Sequence, residues 1–237
     1  MNKNRAGESG SIIVWIFIAV ALFAALSFAV SNIGRSGNPG EMGELARLKA
    51  SDIMQYAGAA QRSLRSMRIN GVDESEICFH AAQWGHNDYE FNPPCADQKN
   101  RLFSAEGGNV SFQTGVEDWY DDAVTLASDG RAWVFSARYE VSQTGTDSGG
   151  AGTVDDNADI VIATGPLRLA VCEAINALLN YDATPPLAAA GLYNGLATSE
   201  FDGTFNTAGG RIGAFGRERC VNENNAHYFY YKVILAR

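Results

Sequence analysis

The chain has 237 residues, of which 46% are hydrophobic, so it can bury a sizeable core and its composition is that of a globular protein. Its formal net charge is −9, and because Lys3, Arg5 and Glu8 give the first eleven residues +1, the remainder carries −10. An acidic chain of this kind is poorly suited to bind nucleic acid, because it would repel the phosphates that supply most of that affinity.

An apolar run extends from Ile12 to Val30, in which only Ser27 is not apolar and no residue is charged. A helix of that length spans about 28 Å, close to the hydrocarbon core of a bilayer. Lys3 and Arg5 precede it, so the positive-inside rule predicts that residues 1–11 form a cytoplasmic leader. The sequence therefore predicts a transmembrane helix over residues 12–30, anchored in the inner membrane of a bacterium. The alternative is a secretory signal peptide that is cut after Ala29.

A second, amphipathic helix is predicted beyond the apolar run. Residues 31–40 are rich in glycine and proline and are predicted to form a hinge. Over residues 41–70 apolar side chains recur at helical spacing, and Asn70-Gly71 is a typical helix end. The predicted core face of this helix comprises Met42, Leu45, Ile53, Tyr56, Ala60, Leu64 and Met67.

Three arginines, Arg62, Arg65 and Arg68, lie on the opposite face of the last turns. Cations there interact favourably with the negative end of the helix dipole. The pattern has two interpretations, namely a solvated face matched to the dipole, or a contact surface for an acidic neighbour such as another copy of the chain.

The remaining residues, 71–237, are predicted to form an extracytoplasmic, β-rich domain held together by disulfides. All four cysteines lie in it, and none shows the C-x-x-C spacing of a zinc site, so we expect two disulfides in an oxidising compartment. Of the three possible pairings we favour Cys78 with Cys95, which bracket a short turn-rich stretch, and Cys172 with Cys220.

Within this domain, one helix is predicted to begin at Pro166, because the first helical position tolerates proline, and to continue to Leu178. Residues 181–219 give no clear pattern. Strands are predicted at Glu76–His80, Asn109–Gln113, Ala132–Val141, Ala158–Thr164 and from His227 onward.

A search for catalytic motifs finds no H-E-x-x-H pair, no G-x-S-x-G elbow and no phosphate-binding loop, so we predict that the chain is not an enzyme and needs no cofactor. Two acidic clusters, Glu117–Asp122 and Asp147–Asp159, are predicted to be solvated loops. Neither has EF-hand spacing. Calcium binding is the weaker alternative, with Asp155, Asp156 and Asp159 as candidate ligands.

This order of parts resembles that of type IV pilins and pseudopilins: a polar leader, an apolar helix, an amphipathic continuation and a disulfide-bearing β-rich domain. The resemblance implies an α+β fold in which one long N-terminal helix, half transmembrane and half amphipathic, packs on an antiparallel sheet. It also implies a cell-surface filament, a homopolymer of this chain built by a pilus or secretion machine. In that family a glutamate follows the cleavage site by five residues, and cutting here after Gly10 places Trp15 there.

Small residues on the apolar helix would allow copies to approach closely, although alanine is also common in simple anchors. The candidate assembly face comprises Ala19, Ala21, Ala24, Ala25, Ser27 and Ala29. The alternative function is a monomeric, membrane-anchored extracytoplasmic binding module, including a viral envelope or receptor-binding protein. An anchored hydrolase is a third class.

Overall fold

The structure is a computed structural model, and it divides into two units, Met1–Leu45 and Ala46–Arg237. Four helices and six strands lie in the described part of the chain. The helices are α1 (residues 14–23), α2 (Pro39–Ile69), α3 (Leu169–Leu178) and α4 (Leu192–Ala197). The described residues are 14–23, 39–79, 96–121, 133–142, 144, 158–197, 201–205, 211–213, 215–223 and 227–237.

Within the described residues, the N-terminal helix α1 covers residues 14–23, ten of the nineteen positions of the predicted helix. Its ten residues reach about 15 Å, half of a bilayer's hydrocarbon core. Helix α2 has 31 residues but carries eight charged side chains. Among the described residues no helix is both long and apolar enough to cross a membrane. The predictions of one long N-terminal helix with a transmembrane half over residues 12–30, and of inner-membrane anchoring, are therefore wrong.

The predicted leader, residues 1–11, and most of the predicted hinge, residues 31–40, lie outside the described residues. The amphipathic helix predicted at 41–70 corresponds to α2, Pro39–Ile69. It ends in a Schellman motif, in which the Val72 amide donates to the Met67 carbonyl at 3.1 Å and the Gly71 amide to the Arg68 carbonyl at 3.0 Å. Gly71 has a φ of 91°, which glycine adopts without strain.

The buried face of α2 follows an alternating spacing of four and three residues, through Ala46, Ala50, Ile53, Ala57, Ala60, Leu64 and Met67. This spacing keeps one seam against the sheet. Of the predicted core face, Ile53, Tyr56, Ala60, Leu64 and Met67 are buried. The prediction is wrong for Leu45, which lies beside that seam and is 52% exposed. The side chain of Met42 lies outside the described part.

The six strands form one mixed sheet in the order β3-β5-β6-β2-β1-β4. The pairs β1–β2, β2–β6 and β5–β6 are antiparallel, whereas β1–β4 and β3–β5 are parallel. The prediction of a purely antiparallel sheet is therefore wrong, because two short edge strands join it in parallel. The strands are β1 (Val134–Val141), β2 (Asp159–Leu167), β3 (Leu187–Ala188), β4 (Arg211–Ile212), β5 (Glu218–Glu223) and β6 (His227–Leu235).

Helices cover both faces of this sheet. Strand β2 is buried at all nine positions, as expected for a central strand covered on both sides. Buried residues of α2 and α3 share one apolar cluster with Tyr230 and Ile234 of β6. Those of α4 share the second cluster with Phe229, Tyr231 and Val233. Successive side chains of β6 thus alternate between the two layers.

Three local predictions do not match the backbone. Pro166 lies inside β2, after a cis Gly165–Pro166 bond, and α3 begins only at Leu169, after the N-cap residue Arg168. Residues 109–113 belong to no strand, and Asn109 has a φ of 53°, which is not extended backbone. In the described part of Glu76–His80, Cys78 forms only an isolated bridge with Arg101.

Candidate functional site

Helix α1 exposes apolar surface on every side. All ten of its residues are exposed, and its eight large apolar side chains are between 45% and 73% exposed. A helix that is apolar all round needs a cover, because exposed apolar area is unfavourable in water. The eight side chains are those of Val14, Trp15, Ile16, Phe17, Ile18, Val20, Leu22 and Phe23.

The predicted assembly face falls only in part on α1. Ala19 and Ala21 lie on this helix and are exposed. They give α1 two positions at which a neighbouring helix could approach its backbone closely. The other predicted members, Ala24, Ala25, Ser27 and Ala29, lie outside the described residues.

In the second unit, a groove of about 890 Å³ runs between α2 and the segment of residues 108–119. The aromatic side chains that line it, Tyr56, Phe112 and Trp119, are each less than 10% exposed. The Gln113 amide donates a hydrogen bond to Tyr56 Oη at 3.3 Å, which ties the segment to α2. Burial raises the pKa of Tyr56 to about 12, although this hydrogen bond lowers it, so the phenol stays neutral.

An acidic turn lies beside the first part of α2. Glu117 and Asp118 belong to a single 3-10 turn, Glu117–Trp119, and both are exposed. Lys49 Nζ of α2 donates to the Asp118 carbonyl at 3.1 Å and lies 3.7 Å from Asp118 Oδ2. Val116, immediately before the turn, is 52% exposed. This end of the groove therefore presents acidic groups next to an apolar side chain.

The last turns of α2 are basic. Glu74 forms ion pairs with Arg68 and with Arg237 Nε, the second at 3.2 Å. Arg62 and Arg65 are exposed and make no ion pair within the described part of the chain. Ile69, at the end of the helix, is 85% exposed. The surface here therefore carries unpaired positive charge next to an exposed apolar side chain.

The predicted disulfide between Cys172 and Cys220 is confirmed. It joins α3 to β5 with a Cα–Cα distance of 5.3 Å, and both residues are fully buried. Disulfides persist in oxidising compartments. Cys78 is also buried, but Cys95 lies outside the described residues, so the pairing of Cys78 with Cys95 stays a prediction.

Of the candidate calcium ligands, only Asp159 falls in the described part, and Asp155 and Asp156 lie outside it. Its Oδ2 accepts a hydrogen bond from the Val141 amide at 2.9 Å, and its Oδ1 one from the Arg237 amide at 3.0 Å. No group of three or more His, Cys, Asp or Glu side chains that could hold a metal occurs among the described residues.

A tyrosine, a glutamate and a lysine meet on the α2 side of the sheet. Glu218 accepts hydrogen bonds from Tyr230 Oη and Lys232 Nζ, both at 2.6 Å. Burial, and then the neighbouring Glu218, hold the pKa of Tyr230 well above its usual value. These three groups satisfy one another, which indicates a structural role for them. The expectation that the chain is not an enzyme stays a prediction.

No protein-family model, curated protein or solved structure matches this chain. The resemblance to pilins therefore stays a prediction from the sequence.

Several residues that position these sites were not identified from the sequence. Ala46, Ala50 and Ala57 lie fully or almost fully buried on the sheet-facing seam of α2. Their alternating spacing of four and three residues with Ile53 is a signal of this seam in the sequence, because alanine is also apolar. The position of Asp118 beside Lys49 carries no sequence signal, because the two residues are 69 positions apart.

Proposed function

We propose that this chain is the structural subunit of a pilus-like filament, and that copies associate through the apolar helix α1. The observation that carries the proposal is the exposed apolar surface on every side of α1. Burying such surface contributes roughly 25 cal/mol per Å², and helices of other copies offer matching surface. Because the surface surrounds the helix, one copy can contact several neighbours, as in a filament.

The second unit supports this proposal through its construction. A long amphipathic helix lies along a sheet, and a buried disulfide fastens another helix to the same sheet. A domain braced in this way is suited to the outer surface of a filament in an oxidising environment. Pilins combine an apolar N-terminal helix and a disulfide-bearing domain in one chain, and the resemblance therefore offers a reason for both parts to occur here.

The first test asks whether the apolar surface of α1 drives assembly. The full chain is expressed in a bacterium, and sheared cell-surface material is analysed by electron microscopy and sedimentation. We expect filaments of the unmodified chain and none of Phe17→Asp, because a charge would be buried between helices. The matched control is Leu187→Asp, which changes an exposed leucine of the second unit. A monomeric unmodified chain, or filaments of Phe17→Asp in normal yield, would overturn the proposal.

A second test separates close helix packing from simple apolar contact. We expect Ala21→Leu to lower the assembled fraction about tenfold, since a bulky side chain at a small position keeps helices apart. Val20→Leu, on the neighbouring position, adds one methylene to an already large side chain and serves as the control. Equal assembly of both variants would show that apolar contact alone holds the helices together and that close approach at Ala21 is not required.

A further inference from the structure

Two exposed patches of the second unit have opposite charge and similar build. The basic patch consists of Arg62, Arg65 and Ile69 at the end of α2. The acidic patch consists of Val116, Glu117 and Asp118 in the segment beside α2. Each combines two charged side chains with one exposed apolar side chain, Ile69 at 85% and Val116 at 52% exposure.

The patches lie beside different parts of α2, the acidic one near residue 49 and the basic one in the last turns. The contact between Lys49 and Asp118 fixes the acidic patch beside residue 49. Arg62 and Ile69 follow 13 and 20 positions later on the same helix. At 1.5 Å of rise per residue, the basic patch is therefore about 20 to 30 Å from the acidic one along the helix. One rigid element thus holds the two patches apart, so they cannot meet within one molecule.

We propose that the basic patch of one copy binds the acidic patch of the next copy, head to tail along the direction of α2. This inference rests on the proposed function, whose assembly it deepens. Two different patches that bind each other form a heterologous contact, which generates an open chain of subunits. A filament requires a contact of this kind, in addition to the burial of α1.

Charge complementarity favours a second copy as the occupant. Arg62 and Arg65 make no ion pair within the described residues, and neither does Glu117. The chain beyond the apolar run carries a net charge of −10, so a basic patch attracts other copies while most other surface areas repel them. Exposed ion pairs of this kind set register and salt dependence more than affinity. The apolar pair, Ile69 and Val116, supplies the remaining contact.

Charge reversal in the full chain tests the inference. One variant carries Arg62→Glu and Arg65→Glu, a second carries Glu117→Lys and Asp118→Lys, and a third carries all four changes. Each double reversal should weaken self-association about tenfold and the combined variant should restore it, because opposite charges again face each other. Mixing the two double variants should also restore assembly, since each supplies the charge that the other has reversed. Self-association is measured by sedimentation at low and physiological salt.

Two controls accompany these variants. Lys99→Glu reverses an exposed charge outside both patches, in the short turn Gln98–Asn100, and should leave assembly unchanged. We expect every variant to fold, because all the altered side chains are exposed. Circular dichroism and thermal unfolding check this expectation.

The outcomes separate this inference from the proposed function. If Phe17→Asp abolishes assembly but both charge reversals leave it unchanged, the head-to-tail contact is wrong and the filament proposal stands. If the combined variant fails to recover, or if recovered assemblies are closed dimers, the head-to-tail contact is also wrong. A monomeric unmodified chain would overturn the filament proposal and this inference with it.

Discussion

Asn176 and Cys220 exchange two hydrogen bonds of 3.0 Å each. The Asn176 side-chain amide donates to the Cys220 carbonyl, and the Cys220 backbone amide donates to Asn176 Oδ1. All of these groups are buried. Asn176 lies one helical turn after Cys172, which forms the disulfide with the same Cys220. One face of α3 is therefore joined to β5 in two ways. Cys172 forms the disulfide, and the Asn176 side chain pairs with the backbone amide and carbonyl of Cys220, as a neighbouring strand would.

Asn176→Ala should destabilise the protein strongly. The change leaves the buried amide and carbonyl of Cys220 without partners, and each such group costs about 1 to 3 kcal/mol. We expect the free energy of unfolding, measured by urea titration, to fall by about 2 to 5 kcal/mol. Ala177→Ser, on the exposed neighbouring position of α3, is the control and should change it little. A loss of only a few tenths of a kcal/mol for Asn176→Ala would contradict the role assigned here.

Removing the Cys172–Cys220 disulfide should cost a comparable amount. The bridge closes a loop of 48 residues, for which chain entropy predicts a contribution of about 4 kcal/mol. The paired substitutions Cys172→Ala and Cys220→Ala remove it without a reductant, so every other cysteine remains as it is. We expect a lower midpoint in urea and a lower melting temperature. An unchanged midpoint would mean that native strain cancels the entropic gain.

Asp159 should make stability depend on pH. Burial, and to a smaller extent the nearby Glu140, raise its pKa to about 6, against the lowering effect of the hydrogen bonds from the Arg237 and Val141 amides and of the Arg217 charge. Because its pKa is higher in the folded than in the unfolded state, protonation of Asp159 contributes stability that is fully present below pH 4. It is lost as the pH rises from about 4 through 6, by at most about 3 kcal/mol.

Comparison with Asp159→Asn isolates the contribution of Asp159 titration to the free energy of unfolding. Other carboxyl groups titrate in both proteins, so their effects cancel in the difference between the two unfolding free energies. We expect the advantage of the unmodified protein over Asp159→Asn to shrink between pH 4 and pH 6 and to stay level above pH 7. Parallel stability curves over this range would show that the pKa of Asp159 is not raised.

Small residues should be required on the seam of α2. Ala57 is fully buried against the sheet cluster, whereas Ala59 lines the groove and is partly exposed. Ala57→Leu adds three carbons to a filled site and should destabilise the protein by about 1 to 3 kcal/mol or more. Ala59→Leu should cost far less. Equal unfolding free energies for the two variants would contradict the close approach of α2 to the sheet.

Much of the secondary structure was predictable because it depends on local periodicity. The apolar pattern predicts a helix over residues 41–70, and α2 extends over Pro39–Ile69. Alternation predicts strands at Ala132–Val141 and Ala158–Thr164, where β1 and β2 lie. Of the three pairings that the sequence left open, the favoured one included Cys172 with Cys220, which is confirmed. The prediction of a helix starting at Pro166 is wrong, because the pairing of β2 with its neighbours outweighs the local preference of proline for a first helical turn.

The sequence by itself determined which faces are apolar, where charges cluster and which elements can form, since these properties reside in neighbouring residues. Only the tertiary structure decided that the two-residue strands β3 and β4 join the sheet in parallel, and that Asp118 lies beside Lys49. Strands of two residues carry no periodic signal, and contacts across 69 residues depend on how whole elements pack. The placement of the two patches along α2 is therefore a property of the fold, because packing alone brings the Glu117 turn to that helix.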